Sequence, residues 1–260
     1  MSQREGSVPV RVHNGYDLYF LDPFRYALEL LQHAAEVVGS RGPRVFLIIG
    51  DAGTGKTTVA QYFCEHWEPR NGAPRGVYVE AVSPGAAGSP YAMLVKICRT
   101  LTAGSAPQMP WDTLEEIQTQ LAETNRFLVI DNAHHIAKYR GGAYRALDTV
   151  RAIHDHSLMP LVLLGLPDLE SRWNKEPEFR DRRLLTYHMP IPSRDQVAEI
   201  LPFNRAVADL IYDRAEGNLR RITLATTLLE SACNDHTDLS PGDLTPEQAA
   251  RLLGPLASAR

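Results

Sequence analysis

The chain has 260 residues, of which 44% are hydrophobic and 22% charged, and its formal net charge is −4. This length allows one domain with a small satellite, and the charge excludes a protein that is basic over its whole surface, although a local basic strip could still bind a polyanion. No stretch approaches the ~20 apolar residues of a membrane span, and Met1–Glu5 lacks the apolar core of a signal peptide, so we expect a cytoplasmic protein without membrane contact.

The N-terminal part of the chain predicts an extension, a helix and then a buried strand. Residues 1–18 are polar and contain glycine, which is typical of an extension. Apolar residues at helical spacing predict a helix over 26–38, and Asp22 with Pro23 marks its expected start. The unbroken apolar run Val45–Ile49 predicts a strand that is buried on both faces.

Directly after this strand, residues 50–57 read Gly-Asp-Ala-Gly-Thr-Gly-Lys-Thr and match the phosphate-binding pattern G-x-x-x-x-G-K-[ST]. The glycines let backbone N–H groups approach the phosphates, and the following helix adds the partial positive charge of its N-terminus. Lys56 is expected to reach the β- and γ-phosphates, and the Thr57 hydroxyl to ligate Mg²⁺. A chance glycine turn is the alternative, but the strand before the loop and the helical pattern after it favour a nucleotide site. The residues predicted to contact the nucleotide in this segment are Gly50, Asp51, Ala52, Gly53, Thr54, Gly55, Lys56, Thr57 and Thr58.

The elements after the loop alternate between strands and helices. Strands are predicted at 77–82, 127–130 and 160–165, and helices at 91–103, 111–124 and 143–156. This alternation implies an α/β fold with a parallel sheet whose faces are covered by helices. After residue 192 only short helical patterns remain, near 194–201, 204–215, 219–233 and 245–253, and they suggest a helical lid. We therefore divide the chain into an N-terminal extension (1–18), a nucleotide-binding α/β domain (19–190) and a lid (191–260).

The strand at 127–130 ends at Asp131. Apolar residues followed by a carboxylate are typical of a Walker B strand, whose terminal carboxylate holds Mg²⁺ through water and faces the phosphate loop. A carboxylate that merely caps the strand is the alternative, but the position at the end of a later strand favours the metal role. The candidate Mg²⁺ ligands are therefore Thr57 and Asp131.

Four further segments carry a family resemblance. They are Tyr19-Phe-Leu-Asp-Pro-Phe24, Leu128-Val-Ile-Asp-Asn-Ala-His-His-Ile136, Leu161-Val-Leu-Leu-Gly-Leu-Pro167 and Gly217-Asn-Leu-Arg-Arg-Ile222. With the phosphate loop they resemble the AAA+ ATPases, and within them the transposition regulators of the MuB, TnsC and TniB type, with ExeA-like secretion ATPases as close relatives. The resemblance implies a three-layer P-loop sandwich with a parallel central sheet, a small C-terminal helical lid, and ATP with Mg²⁺ as cofactors.

Two positions depart from the family pattern. The family has Asp-Glu at the end of the Walker B strand, with the Glu polarising the attacking water, but this chain has Asn132. An amide cannot accept that proton, although it can position a water by hydrogen bonding. Leu166 stands where a polar sensor-1 residue is expected, and it cannot hydrogen-bond a phosphate. Together these residues predict an ATP-binding switch or a slow ATPase, with Asn132 as the candidate water-positioning residue.

The resemblance also assigns arginines that sense the nucleotide. The stretch Glu178-Phe-Arg-Asp-Arg-Arg-Leu184 resembles the segment that ends in an arginine finger, with Arg183 as the finger and Arg182 as the alternative. A guanidinium is permanently charged and binds phosphate in a bidentate way, although a solvated charge cluster would look the same in sequence. In the lid, Arg220 matches the sensor-2 position, and Arg221 is the alternative. If these assignments hold, the active sites lie between subunits and ATP drives oligomerisation.

Two basic patches are candidates for contact with DNA. Lys96 and Arg99 are three residues apart on a predicted helix and therefore share a face, which in the TnsC-like regulators touches the DNA backbone. Lys138, Arg140 and Arg145 offer a second patch after the Walker B strand. Solvated helix faces are the alternative for both. Contacts of this kind bind phosphate, depend on salt and carry no base specificity.

Two functions follow from these observations. The first is a transposition regulator that forms a homo-oligomeric ring or filament with ATP on double-stranded DNA, selects target DNA and recruits or activates a transposase, with targeting supplied by a partner protein. The second is an ExeA-like or signalling ATPase that assembles a protein complex without DNA. Nucleotide-dependent oligomers that form only with DNA would favour the first function.

Histidine and cysteine residues do not suggest a further site. His134 and His135 are adjacent and point in different directions, so a structural role is expected. His154 and His156 lack a third ligand at suitable spacing and predict a surface helix end. Cys64, Cys98 and Cys233 are widely spaced and form no C-x-x-C pair, so they predict small buried apolar side chains.

Overall fold

The computed structural model of the chain describes residues 11–12, 16–17, 21–36, 44–69, 72–82, 90–138, 146–175, 177–235 and 240–254. The strands in these residues are β1 (Arg11–Val12), β2 (Tyr16–Asp17), β3 (Val45–Ile49), β4 (Arg75–Glu80), β5 (Arg126–Asp131), β6 (Leu161–Gly165) and β7 (Arg183–His188). The helices are α1 (Asp22–Glu36), α2 (Lys56–His66), α3 (Pro90–Thr102), α4 (Pro110–Glu123), α5 (Ala146–Ser157), α6 (Pro167–Lys175), α7 (Pro177–Arg180), α8 (Arg194–Ile200), α9 (Arg205–Ala215), α10 (Leu219–Asp235) and α11 (Pro246–Leu252). Single 3₁₀ segments follow β5 and precede α11, at Ala133–Lys138 and Pro241–Asp243.

Five strands form a parallel sheet in the order β4-β5-β6-β3-β7. Every residue of β3 and of β6 is buried, as strands with helices on both faces require. The short strands β1 and β2 form a separate antiparallel pair. The predicted α/β fold with a parallel central sheet flanked by helices is confirmed.

The two faces of the sheet carry different helices because alternate strand residues point to opposite sides. On one face, Leu47 of β3 belongs to a core that includes Ile97 of α3 and Ile117 of α4. On the other face, Phe46 of β3 meets the ring of His33 in α1 edge-on, with the ring centroids 6.1 Å apart. Helix α2 contacts β4, β5 and β6. The sheet is therefore the middle layer of three.

Several elements differ from the sequence predictions. Strand β4 begins at Arg75 and ends at Glu80, whereas the apolar pattern predicted 77–82; the polar residues that begin it pair with β5 all the same. Strand β7 and helix α6 were not predicted. In the described strand order β7 lies at the sheet edge beside β3 and exposes Leu184 and Leu185, so it lacks a continuous apolar run. Helix α6 is short and buries Leu169 and Trp173, too few apolar positions for a clear helical pattern. The start of the predicted helix at 143 lies outside the described residues. Within the described ranges, no helix combines the length and apolarity needed to span a bilayer.

Contacts between Cα atoms divide the chain into two units. One comprises Ala27–Gly50 and Lys56–Met189 and contains the parallel sheet. The other comprises Met1–Tyr26, Asp51–Gly55 and Pro190–Arg260, so the middle of the phosphate loop groups with the C-terminal helices. The division into 1–18, 19–190 and 191–260 stays a prediction.

The C-terminal helices begin with side-chain caps. Ser193 and Gln196 form a capping box at the start of α8, and Thr245 and Gln248 form another at α11. The Asn204 side chain accepts a hydrogen bond from the first turn of α9. Such caps satisfy backbone N–H groups that have no partner within the helix, and each contributes about 1 kcal/mol.

Candidate functional site

The phosphate loop leaves the carboxyl end of β3, and α2 begins at Lys56. The Gly50 N–H donates to the Gly165 carbonyl of the neighbouring strand at 3.2 Å. The Lys56 side chain is buried, and its ammonium Nζ donates to the Gly50 carbonyl at 2.8 Å. A buried ammonium needs acceptors, and phosphate oxygens at the start of α2 would be stronger acceptors than this carbonyl. Thr58, also predicted to contact nucleotide, is half-buried in the first turn of α2.

Asp131, at the end of β5, is 1% exposed and accepts hydrogen bonds on both carboxylate oxygens. Thr57 Oγ1 donates to Oδ2 at 2.6 Å, and the Tyr78 hydroxyl donates to the same oxygen at 3.0 Å. The backbone N–H of Asn132 donates to Oδ1 at 2.7 Å. Burial, followed by the nearby Asp131 carboxylate, raises the pKa of Tyr78 well above its usual value, so its hydroxyl remains a donor.

The Thr57 hydroxyl and the Asp131 carboxylate are hard oxygen ligands of the type that Mg²⁺ prefers. The structure brings them into direct contact, and this donor set fits a Mg²⁺ ion that would also bind phosphate oxygens. Thr57 and Asp131 are thus the residues that would hold the metal. Tyr78 was missed at the sequence level. Tyr78 could have been placed near this carboxylate only from the register of β4 with β5, in which Glu80 lies beside Asp131.

Asn132 follows β5 with a φ of 53°, in the left-handed region that asparagine tolerates better than most residues. Its side-chain Nδ2 donates to Glu80 Oε1 at 3.3 Å. The amide that replaces the family's glutamate is therefore bound to a carboxylate from the neighbouring strand. Glu80 was not a predicted site residue, because nothing in the pattern of β4 marks its last position.

In the C-terminal unit, the middle of the phosphate loop is bonded to the start of α10. The Asn218 side-chain Nδ2 donates to the Ala52 carbonyl at 2.9 Å, and the Leu219 N–H donates to the Gly53 carbonyl at 2.8 Å. Gly53 has a φ of 83°, and a Cβ added there would lie 2.1 Å from Asn218 Oδ1. The loop therefore needs glycine at this position for two independent reasons.

The other residues of the predicted loop are also placed. Gly55 has a φ of 98°, again in the region that favours glycine. Thr54 is buried, and its hydroxyl donates to the Asp51 carbonyl at 3.1 Å. Asp51 and Ala52 are exposed.

The predicted sensor-2 arginines, Arg220 and Arg221, lie in the first turn of α10. The Asn218 side-chain oxygen accepts hydrogen bonds from the backbone N–H groups of Arg220 at 3.1 Å and of Arg221 at 3.3 Å, which caps the helix. The Arg221 guanidinium forms an ion pair with Glu216 at 3.0 Å. The Arg220 side chain is exposed. The nucleotide-sensing role of either arginine stays a prediction.

The two candidate finger arginines are bound within the chain. Arg182 makes a bidentate pair with Asp155, at 2.6 and 2.9 Å. Arg183, the first residue of β7, binds Glu170 of α6 at 2.8 Å, and the other oxygen of Glu170 lies 3.0 Å from His188 Nε2. Contact with a neighbouring subunit's nucleotide would have to replace one of these pairs, and the finger role stays a prediction.

The candidate DNA contacts Lys96 and Arg99 line one surface depression on α3, together with Ala92, Val95 and Thr100. Lys96 Nζ lies 3.8 Å from Glu80 Oε2, so the same lysine faces the carboxylate that binds Asn132. The side chain of Lys138 and the whole of Arg140 and Arg145 lie outside the described residues.

The histidines near the end of α5 differ in exposure. His156 is exposed and bonds to the Ala152 carbonyl, as expected for a surface helix end. His154 is instead buried, and its Nδ1 lies 3.0 Å from the Met159 carbonyl. Burial lowers the pKa of His154 below the ordinary imidazole value of 6.5. All three cysteines are free, with Cys98 and Cys233 buried and Cys64 half-buried.

Comparison with known proteins supports the P-loop interpretation. The family described as AAA domain matches residues 40–173, a stretch that includes the phosphate loop and Asp131. No curated protein sequence matches the chain significantly.

Several solved structures are similar to this chain. The ORC2 protein of Aeropyrum pernix, in ADPNP-ADP complexes, has a TM-score of 0.69 and 18% identity, covering 98% of this chain and 71% of that chain. The ORC1 protein of the same organism, in complex with DNA, has a TM-score of 0.65 and 19% identity, covering 98% and 68%. Domain III of the replication initiation protein DnaA of Thermotoga maritima has a TM-score of 0.59 and 15% identity, covering 94% and 100%. At these identities the likeness establishes a shared fold.

Proposed function

Since the chain belongs to the AAA domain family and is therefore an AAA+ P-loop ATPase, we propose that it is an ATP-dependent regulator of DNA transposition. In this proposal it oligomerises with ATP and Mg²⁺ on double-stranded DNA, as a ring or helical filament, and selects target DNA. It then recruits or activates a transposase, while a separate targeting protein supplies the choice of site.

The observation that carries the nucleotide part of the proposal is the contact between Thr57 and Asp131, at 2.6 Å, beside the buried ammonium of Lys56. These groups come from the start of α2 and the end of β5. The lysine supplies charge for the β- and γ-phosphates, and the two oxygens supply ligands for Mg²⁺. Mg²⁺, when bound, would neutralise charge on the phosphates.

Duplex DNA as a partner is supported by Lys96 and Arg99, which share one surface of α3. Their charges suit phosphate contacts, which give affinity without base specificity. The similar ORC1 structure is itself a complex with DNA. The transposition role rests on the sequence resemblance to regulators of the MuB, TnsC and TniB type.

Slow hydrolysis is supported by the two departures from the family pattern. Asn132 cannot accept a proton, and Leu166 cannot hydrogen-bond a phosphate. We propose that ATP occupancy acts mainly as a switch: with ATP bound, Arg183 of one subunit would contact the γ-phosphate of the next, and Arg220 would sense the nucleotide from the lid. If the parent hydrolysed ATP as fast as an Asn132→Glu variant, the proposal of slow hydrolysis would be contradicted.

The test is sedimentation of the chain with a non-hydrolysable ATP analogue and Mg²⁺, with and without duplex DNA. We expect large assemblies only when the analogue and the DNA are both present. The double variant Lys96→Ala/Arg99→Ala should bind duplex DNA more weakly, with a salt dependence that falls by about one unit of slope for each lost phosphate contact.

A matched control is the double variant Arg172→Ala/Lys175→Ala, which removes the same charge at the same spacing on α6. It should bind DNA as the parent does. Analogue-dependent oligomers that ignore DNA would contradict the proposal and support the assembly of a protein complex without DNA.

A further inference from the structure

We propose that Glu80 is the carboxylate that activates water for ATP hydrolysis in this chain, in the role that Asn132 cannot fill. This inference rests on the proposed ATPase function. It follows from three observations at the carboxyl end of the sheet: the register position of Glu80, its hydrogen bond with Asn132 and its exposure.

The first observation is the position of Glu80 on the sheet. Glu80 and Asp131 are register partners at the ends of the parallel strands β4 and β5, so their side chains leave the same face of the sheet. Tyr78, two residues earlier on β4, confirms this orientation because its hydroxyl reaches Asp131 Oδ2 at 3.0 Å. Thr57 reaches the same oxygen from α2. Glu80 thus lies on the face that carries the candidate Mg²⁺ ligands.

The second observation is the hydrogen bond from Asn132 Nδ2 to Glu80 Oε1, at 3.3 Å. Asn132 occupies the position from which the family's glutamate would act, and here it holds a carboxylate from the adjacent strand. The bond uses the amide's N–H₂ group and leaves the second Glu80 oxygen for another partner. A carboxylate at the end of β4 and an amide directly after β5 are thus hydrogen-bonded to each other at the carboxyl end of the sheet.

The third observation is the exposure of this carboxylate. The Glu80 side chain is 57% exposed, whereas Asp131 is 1% exposed, so Glu80 can meet a water that Asp131 cannot. Lys96 Nζ lies 3.8 Å from Glu80 Oε2. The Glu80 carboxylate is held by a hydrogen bond of 3.3 Å from Asn132 and by a weak ion pair with Lys96. A base held this loosely is a poorer catalyst than a rigidly positioned one, which agrees with slow turnover.

The step that Glu80 supports is a single displacement on ATP. The water oxygen forms a bond to the γ-phosphorus, and the bond from that phosphorus to the β–γ bridging oxygen breaks, with its electron pair remaining on ADP. The proton released from the water passes to the Glu80 carboxylate. The products are ADP and inorganic phosphate, and the carboxylate loses its proton to solvent afterwards.

The test compares Glu80→Gln, Glu80→Asp and the parent in two measurements: ATP affinity by titration and phosphate release in a single turnover followed for hours. The glutamine can still accept a hydrogen bond from Asn132, but it cannot take up a proton. We expect Glu80→Gln to bind ATP within about twofold of the parent and to release phosphate about 100-fold more slowly. Glu80→Asp keeps a carboxylate and should be faster than Glu80→Gln.

The matched control is Glu123→Gln, which removes an exposed carboxylate at the end of α4. Glu123 lies three residues before the start of β5, whereas Asp131 lies at the other end of that strand. It should match the parent in both measurements. Phosphate release by Glu80→Gln at the parental rate would overturn the role of Glu80, as would a parent that binds ATP and never hydrolyses it. A parent that does not bind ATP would instead contradict the proposed function.

Discussion

Asp131 is almost fully buried, yet its carboxylate accepts hydrogen bonds from three donors. Thr57 and Tyr78 share one oxygen, and the N–H of Asn132 takes the other. Three donors compensate for the loss of hydration that burial imposes on a charged group. They also fix the orientation of the oxygen that would face Mg²⁺. The same local backbone explains Asn132, whose φ of 53° favours asparagine over a glutamate.

A second buried group, His154, makes stability depend on pH. Burial is the main cause of its lowered pKa, while the Met159 carbonyl and Asp155 act in the opposite direction and Arg44 and Arg182 reinforce the lowering. Because its pKa in the folded chain lies below the ordinary value of 6.5, the unfolded chain binds more protons as the pH falls through that value. The stabilising effect of a neutral His154 is therefore complete above pH 6.5 and is lost toward lower pH.

We predict that the free energy of unfolding, measured with urea at several pH values, decreases below pH 6.5 in the parent and decreases less in His154→Gln. His156→Gln is the matched control, because His156 is exposed on the same helix, and it should keep the parental slope. Equal slopes for the parent and His154→Gln would contradict the role given to His154.

The contact between the phosphate loop and α10 was only partly predictable from the sequence. The loop residues were predicted from their pattern, and so was a helix near 219–233. Their mutual hydrogen bonds were not predictable, because the contact of Asn218 with Ala52 joins residues 166 positions apart. Strand β7 was missed for a different reason. It lies at the sheet edge, and its exposed leucines are not part of a buried apolar run like the one that marks β3.

We predict that Gly53→Ala weakens ATP binding at least tenfold. The alanine would be strained at a φ of 83°, and its Cβ would overlap the Asn218 amide at 2.1 Å, so the Asn218 side chain or the loop would have to move and their hydrogen bond would be disturbed. The comparison is Gly72→Ala, at a φ of 73°, where an added Cβ would have no atom of the described residues within 4 Å apart from its chain neighbours. That variant carries only the backbone strain of about 1–2 kcal/mol and should bind ATP normally.

The steric part of this prediction is tested separately with Gly53→Ala/Asn218→Gly, which removes the overlapping amide. ATP affinity should recover in part relative to Gly53→Ala alone. Identical ATP affinity in Gly53→Ala and Gly72→Ala would show that the contact with Asn218 has no effect on the loop.

For the molecule as a whole, the sequence predicted the fold more completely than it predicted the candidate site. Strand–helix alternation and the apolar runs were sufficient for a parallel sheet, because burial on both faces imposes that composition. Thr57 and Asp131 were predicted together as candidate Mg²⁺ ligands, since their positions follow from the loop and from the end of a strand, and the structure brings them into contact. Glu80, Tyr78 and Asn218 were not, because their proximity depends on strand register and on packing between distant segments.

If ATP and Mg²⁺ bind through Lys56, Thr57 and Asp131, calorimetric titration of ATP into the chain will show it. The parent should bind ATP more tightly with Mg²⁺ than without it. Lys56→Ala should lose about 10- to 100-fold in affinity, the value of a charge-assisted hydrogen bond of about 1.5–3 kcal/mol, whereas Lys175→Ala should bind as the parent does. ATP binding by Lys56→Ala with parental affinity, or no binding by the parent, would contradict the claim.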